Sequence, residues 1–179
     1  MLRYTEFGIS HSEVPGESNL CIYISGCCNK CNNCHYPELQ STDYGEILSD
    51  YFMDIIDLYR PLATCVCFMG EGDLSKRSKE ELLHYAKRIK DMGLKVCLYS
   101  GRDVGVEEWM YAFDYIKTGS YKEELGALDK RSTNQRLYHV VNNTVEDITE
   151  LFWKKGKTGI KILFICYGSI TGDSYKVRK

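Results

Sequence analysis

The sequence lacks the features that mark membrane-bound, exported and nucleic-acid-binding chains. No apolar run approaches the ~20 residues that a membrane span needs. The N-terminal stretch MLRYTEFGIS has neither the charged start nor the apolar centre of a signal peptide. The formal net charge is -2, and the lysines and arginines form no stripe with interleaved aromatic residues. We therefore expect a cytoplasmic protein that binds neither nucleic acid nor a membrane.

Proline is scarce, whereas cysteine is abundant. The chain has three prolines and nine cysteines. Disulfide scaffolds rich in cysteine are small secreted chains, and cytosolic reductants keep thiols free, so we expect thiols that pack in the core or bind metal. Four cysteines stand within apolar runs, where cysteine behaves as a small hydrophobic residue. We expect these four in the core: Cys21, Cys65, Cys67 and Cys97.

Apolar, β-rich runs alternate with amphipathic stretches. Predicted strands are 19–25, 63–69, 94–100 and 113–119, and apolar residues at i, i+3, i+4 and i+7 predict helices at 44–60 and 78–93. Ser78 and Glu81 have the spacing of a capping box at the start of the second helix. Strands that alternate with helices predict an α/β fold with a parallel sheet. A chain of 179 residues is too short for a complete eight-stranded barrel of ~250 residues, so we expect an open, partial parallel βα barrel of about five or six strands.

The loops after the first three predicted strands contain the segments with candidate functional residues. A cysteine-rich segment follows the first strand, GEGD (70–73) follows the second and SGRD (100–103) follows the third. Functional groups of parallel βα sheets lie in the loops after the carboxyl ends of the strands. All three segments should therefore share one edge of the sheet.

The character of the sequence changes after Trp153. KKGKTG (154–159) is short, basic and contains glycine, and the apolar run IKILFIC follows it. We place a boundary near residue 155. This divides the chain into a domain of residues 1–155 and a C-terminal appendage of residues 156–179.

The cysteine-rich segment CCNKCNNCHYPE (27–38) contains two overlapping patterns of metal ligands. Cys27, Cys31 and Cys34 have the spacing C-x3-C-x2-C. Cys28, Cys31 and Cys34 have the spacing C-x2-C-x2-C. The segment by itself is compatible with both patterns, and each pattern predicts a different metal site.

Three kinds of metal site can be compared with this segment. A zinc site would use His35 beside Cys34, and side chains of adjacent residues are poorly placed to reach one ion. A bacterial ferredoxin cluster requires a fourth cysteine followed by proline, and Glu38 stands at that place. The C-x3-C-x2-C spacing would supply three thiolates to a 4Fe-4S cube and leave one iron open for a substrate.

The sequence GCCNKCNNCHYPE resembles the cluster-binding signature of the radical S-adenosylmethionine family. In the activating-enzyme branch of that family the signature is GC-x3-C-x2-CHNPE, which Gly26, Cys27, Cys31, Cys34 and His35 match. The segments VCFMGEGD, GLKVCLYSG, FDYIKTGSYKEELGAL and STNQRLY follow in the same order as similar segments of the activating proteins of anaerobic ribonucleoside-triphosphate reductases. The resemblance covers roughly residues 1–153.

The resemblance implies a partial barrel of the radical S-adenosylmethionine type and an oxidoreductase that activates a glycyl radical enzyme. It implies Cys27, Cys31 and Cys34 as ligands of a 4Fe-4S cluster whose open iron binds S-adenosylmethionine. An electron from a low-potential donor such as flavodoxin or ferredoxin would split S-adenosylmethionine into methionine and a 5'-deoxyadenosyl radical. That radical would remove a hydrogen atom from a glycine of the partner, the anaerobic ribonucleoside-triphosphate reductase.

The resemblance also indicates residues that would contact S-adenosylmethionine. The segment at 69–73, MGEGD, corresponds to the family's Gly-Gly-Glu-Pro motif without its proline, and Asn33 stands where the wider family often has an aromatic residue. From the residues alone, ordinary turns at 70–73 and 100–101 and a solvated strand end at 113–119 are alternatives. The predicted cofactor-binding residues are Asn33, His35, Gly70, Glu71, Gly72, Ser100, Gly101, Asp114 and Lys117.

Two other functions fit the same residues. The first is the same radical chemistry directed at another glycyl radical enzyme, since only the resemblance names the reductase. The second is a non-catalytic iron-sulfur or zinc-binding module, which the dense cysteines alone would also indicate.

Overall fold

A computed structural model describes residues 1–153, which form one mixed β-sheet with helices. The eight strands are β1 (Arg3–Ser10), β2 (Asn19–Ile24), β3 (Glu46–Ile47), β4 (Cys65–Met69), β5 (Lys95–Tyr99), β6 (Tyr115–Thr118), β7 (Arg136–Val141) and β8 (Thr144–Asp147). The α-helices of this part are α1 (Tyr51–Tyr59) and α2 (Lys76–Asp91). Short 3-10 helices span Pro37–Gln40, Glu108–Ala112 and Thr149–Phe152.

The centre of the sheet is parallel and its two sides are antiparallel. The strand order is β3-β1-β2-β4-β5-β6-β7-β8. Neighbours among β2, β4, β5 and β6 pair in parallel, which confirms the four predicted strands and their direction. β1 and β3 on one side, and β7 and β8 on the other, add antiparallel pairs. In residues 1–153 the sheet does not close on itself, because β3 and β8 are its edge strands.

The first predicted helix is shorter than its amphipathic pattern. α1 begins at Tyr51, and residues 46–47 instead pair with β1 as an edge strand. Gly45 explains the difference: its φ is +90°, and a Cβ at this position would lie 2.3 Å from the carbonyl oxygen of Tyr4. A backbone in this conformation and this close to β1 cannot continue a helix.

The second predicted helix is present, but its cap differs from the prediction. α2 begins at Lys76, and the side chain of Ser75 accepts a hydrogen bond from the backbone N–H of Ser78 at 3.1 Å. The predicted capping box starting at Ser78 is therefore wrong. The helix ends at Asp91, two residues before the predicted bound, and Gly93 follows with a φ of +81° that fits a left-handed C-terminal position.

The sheet separates two apolar clusters. One face packs against the helices, and its cluster includes Ile22, Phe52, Phe68, Leu82, Leu98 and Ile116. The opposite face holds the four cysteines that were predicted to lie in the core. Cys21, Cys65, Cys67 and Cys97 are at most 3% exposed and are free thiols, which confirms the prediction.

No helix within residues 1–153 combines the length and apolar character needed to cross a membrane. The predicted appendage at 156–179 and the predicted boundary near residue 155 lie outside the described residues.

Candidate functional site

The cysteine loop, residues 26–41, leaves the carboxyl end of β2 and is closed at its base by backbone hydrogen bonds. The N–H groups of Gly26 and Cys27 both donate to the carbonyl oxygen of Leu39, each at 2.8 Å, and the first also contacts the Ser41 oxygen at 3.1 Å. The 3-10 helix Pro37–Gln40 supplies this returning end. The loop is therefore anchored where it leaves the sheet, immediately before its first cysteine.

The segment at 70–73 lies directly against this anchored end. Gly26 has a φ of +92°, and a Cβ there would lie 3.0 Å from the backbone nitrogen of Asp73. Gly70 and Gly72 also have positive φ values, +136° and +68°, a backbone conformation that favours glycine at both positions. The cysteine loop and the segment at 70–73 are thus in close backbone contact.

The thiols of the loop differ in exposure. Cys27, Cys31 and Cys34 are partly buried, whereas Cys28 is exposed. Burial raises the pKa of the Cys27 thiol, and its interactions with Cys31, Cys34 and Cys28 raise it further. Cys28, Cys31 and Cys34 therefore lie close enough to Cys27 to act on its thiol, and the three partly buried thiols match the C-x3-C-x2-C pattern.

Lys117 is a buried cation at the same edge of the sheet. Its side chain donates a hydrogen bond to the carbonyl oxygen of Gly119 at 2.6 Å, and its nitrogen lies 5.8 Å from the ring centre of Tyr99. Burial lowers the pKa of Lys117 to about 8, while interactions that include those with Cys31 and Cys27 act in the opposite direction. The structure thus brings this predicted residue to the cysteine thiols.

Glu71 and Ser100 meet at a buried ion pair that the sequence did not predict. The Arg102 guanidinium donates to Glu71 Oε1 at 2.8 Å and Oε2 at 3.1 Å, and Ser100 Oγ donates to Oε2 at 2.6 Å. The same guanidinium also binds Glu107, at 2.7 Å. This ion pair joins the loops at 70–73 and 100–103. The only sequence signal for Arg102 is its place in SGRD, directly after a predicted strand.

The other predicted residues on this edge face the cysteine loop or belong to it. A Cβ on Gly101 would lie 2.3 Å from Asn29 Nδ2, so the missing side chain leaves room for the loop. Asn33, with a φ of +54°, donates to Glu123 Oε2 at 2.6 Å, and the ring of His35 lies 5.8 Å from that of Tyr121.

Asp114 is the predicted residue that the structure does not bring to this edge. It precedes β6, and its carboxylate accepts a hydrogen bond from the Val96 N–H at 2.8 Å and pairs with Lys90 at 3.1 Å. Since β6 runs parallel to the central strands, Asp114 lies at their amino edge. Three residues of strand, ~10 Å, separate it from Lys117 at the carboxyl edge.

The donor set of the loop suits an iron-sulfur cluster. Within the described part of the chain, no group of three His, Cys, Asp or Glu side chains is placed to hold a single metal ion. An iron-sulfur cube is larger than one ion and is bound by separated cysteine thiolates. The free, partly buried thiols of Cys27, Cys31 and Cys34 lie in one anchored loop and are the donor type that such a cluster uses.

Comparison with protein families supports the same kind of site. Residues 14–138 match the model of a family described as the 4Fe-4S single cluster domain, and the chain belongs to this family. It therefore contains a domain that binds a 4Fe-4S cluster. No curated protein and no solved structure matches the chain significantly.

Proposed function

We propose that this protein is a radical S-adenosylmethionine activating enzyme whose cluster is held by Cys27, Cys31 and Cys34. Its protein substrate is an anaerobic ribonucleoside-triphosphate reductase, and flavodoxin or ferredoxin is its electron donor. The observation that carries the proposal is the anchored loop with three partly buried thiols at the carboxyl edge of a parallel sheet. We further propose that the sheet is a partial barrel of the radical S-adenosylmethionine type.

A bound cluster with three protein ligands would supply an electron and an open iron, so that S-adenosylmethionine is split and a glycine of the partner loses a hydrogen atom. The chain's own residues bind the cluster, orient S-adenosylmethionine and exclude water from the site. Gly70 and Gly72 allow the backbone beside the cysteine loop to approach a ligand closely. Lys117, buried beside the thiols, supplies positive charge for the carboxylate of S-adenosylmethionine.

Glu71 and Ser100 have a different role in this proposal from direct cofactor contact. The Ser100 hydroxyl donates a hydrogen bond to the Glu71 carboxylate, which also pairs with Arg102. They would therefore act by fixing the separation of the loops at 70–73 and 100–103. Contacts with the cofactor from these loops would come mainly from backbone groups.

The test is anaerobic reconstitution of the full chain with iron and sulfide. We expect a brown protein with about four irons per chain, slow formation of methionine and 5'-deoxyadenosine after reduction, and a glycyl radical doublet by electron paramagnetic resonance when the reductase is added. A colourless protein with one zinc would reject the proposal. Cleavage without a radical on the reductase would keep the reaction class and favour another glycyl radical enzyme, which a pull-down from anaerobic extract could identify.

A further inference from the structure

The connection between β6 and β7, residues 119–135, forms a strap whose two ends meet. Gly119 has a φ of +102°, and a Cβ there would lie 2.8 Å from the Cα of Gln135. Hydrogen bonds within the strap include Gly126 N–H to the Lys122 oxygen at 2.9 Å and Ser132 Oγ to the Leu125 oxygen at 2.7 Å. A loop of this kind has its own local structure, as compact surface loops do.

Polar contacts, rather than apolar packing, hold the strap on the sheet. Neither of the two apolar clusters found in residues 1–153 includes a residue of the strap. Its backbone is tied to the neighbouring loop by one direct bond, from the Gly119 N–H to the Arg102 oxygen at 2.7 Å. Loops without a share of the core open with a low free energy, so each polar anchor has a large effect on the strap.

The main polar anchor of the strap is the carboxylate of Asp103. It accepts hydrogen bonds from Ser120 N–H at 2.8 Å, Ser120 Oγ at 3.0 Å and Asn134 Nδ2 at 2.9 Å, and it pairs with Lys122 Nζ at 3.0 Å. These donors come from both ends of the strap. Bonds to an ionised acceptor are stronger than neutral ones, and the bonds from Ser120 and Lys122 lower the pKa of Asp103 to about 2.

The middle of the strap touches the cysteine loop. Glu123 accepts the 2.6 Å hydrogen bond from Asn33, the residue that precedes Cys34. Tyr121 lies beside His35, the residue that follows the same cysteine, with ring centres 5.8 Å apart. The strap therefore contacts the neighbours of this cysteine on both sides.

We propose that the strap covers the cysteine loop and that Asp103 is the positioning residue that keeps it there. The proposal rests on the proposed function only in taking Cys27, Cys31 and Cys34 as the cluster ligands. In this arrangement the strap limits the access of oxygen and water to the bound cluster. Removing the anchor opens the strap without removing any ligand.

The experiment compares the full chain with its Asp103→Ala variant and with Asp129→Ala as the matched control. Asp129 is in the strap as well, but it forms an ion pair with its sequence neighbour Lys130, and both side chains are exposed. All proteins are reconstituted anaerobically, their iron content is measured, and the loss of visible absorbance is followed after exposure to air. Hydrogen exchange of residues 119–135 is measured on the same proteins without iron.

We expect Asp103→Ala to bind as much iron as the unmodified chain but to lose its absorbance at least about fivefold faster, since the loss of even one net hydrogen bond changes a local opening equilibrium by about that factor. Exchange in the strap should accelerate, and the Asp129→Ala protein should behave like the unmodified chain. Glu123→Ala, which removes the contact at the far end, should also speed the loss of absorbance. The double variant Asp103→Ala/Glu123→Ala should lose its absorbance only slightly faster than the faster single variant, because both substitutions act by opening the same strap.

Unchanged exchange in Asp103→Ala would show that Asp103 is not the anchor. Faster exchange with an unchanged rate of absorbance loss would show that the strap is not a cover. If Asp103→Ala failed to take up iron, the Glu123→Ala variant would decide the role of the strap in the same assay. If the unmodified chain bound no cluster, both the covering role of the strap and the proposed function would be rejected. The exchange measurement would still show whether Asp103 anchors the strap.

Discussion

Neighbouring cysteines in the loop have different surroundings. Cys27 is partly buried and follows a backbone anchored to Leu39, whereas Cys28 is exposed and its thiol lies 3.6 Å from the carbonyl oxygen of Gly26. Only one of the two can belong to a three-cysteine ligand set, and the more buried thiol is the one in the C-x3-C-x2-C pattern.

We predict that Cys27→Ala loses the cluster and that Cys28→Ala keeps it. The first substitution removes a ligand held at the anchored base of the loop, and the second removes an exposed side chain. Iron content and visible absorbance after anaerobic reconstitution measure the difference. The opposite result would establish the C-x2-C-x2-C pattern instead. Cys31→Ala is the reference for a lost ligand, since this residue belongs to both patterns.

We predict that Lys117→Met stabilises the protein without its cluster, although it should weaken binding of S-adenosylmethionine. Lys117 is 7% exposed, and burial lowers its pKa to about 8. Relative to an ordinary lysine near 10.4, this shift corresponds to about 3 kcal/mol at neutral pH. Urea unfolding of the iron-free protein should reveal a higher midpoint for the variant.

The stability gained by Lys117→Met should depend on pH in a definite direction. Between pH 8 and about 10.4 the unfolded state keeps a proton that folded Lys117 has lost, so the stability of the unmodified chain rises with pH. The advantage of Lys117→Met should be largest below pH 8 and should shrink across that interval. Lys87→Met, at an exposed site on α2, should change stability little at any pH. An advantage that persists at high pH would show that buried charge is not its cause.

At the scale of elements, the loops after β4 and β5 are held together by the Arg102 ion pairs. The guanidinium binds Glu71, whose side chain is 4% exposed, and Glu107, which also accepts a 2.6 Å hydrogen bond from Trp109 Nε1. Arg102 and Trp109 together lower the pKa of Glu107 to about 2. These contacts tie both loops to the 3-10 helix Glu108–Ala112.

We predict that Arg102→Met destabilises the protein by about 3 kcal/mol or more, because it leaves the buried Glu71 carboxylate without its cation. The double variant with Glu71→Gln should be less destabilised than the single one, since the buried charge is then absent. Arg60→Met is the matched control: its pair with Asp57 is exposed and should contribute at most about 0.5 kcal/mol. Equal urea midpoints for the two single variants would contradict this account of the loops.

At the scale of the whole molecule, the family match covers residues 14–138 and includes every predicted site residue, from Cys27 to Lys117. We predict that deleting residues 156–179 leaves iron content and S-adenosylmethionine cleavage at the level of the full chain. Both proteins would be purified and reconstituted side by side under anaerobic conditions. A soluble, iron-replete truncation that failed to cleave S-adenosylmethionine would place part of the site in the deleted segment.

The central strands could be predicted because each is a short apolar run bounded by turn residues, and this signal is local. The side strands could not. β1 and β8 carry many exposed or partly exposed residues, and β3 has only two residues. Their formation depends on pairing with strands distant in sequence, such as β1 with β2 and β3, which propensity alone does not encode.

The sequence by itself predicted the 4Fe-4S cluster, through the resemblance of its cysteine-rich segment to a known signature. It also predicted the core position of the four apolar-run cysteines and the edge of the sheet where the loops meet, and these two features depend on residue type and on local periodicity. Only the tertiary structure decided that Asp114 lies at the opposite edge, that Glu71 is bound by Arg102, and that the strap reaches the cysteine loop through Glu123. These contacts join residues that lie from 24 positions apart, for Lys90 and Asp114, to 90 positions apart, for Asn33 and Glu123. Their geometry depends on how the strands pair and pack, which no local pattern specifies.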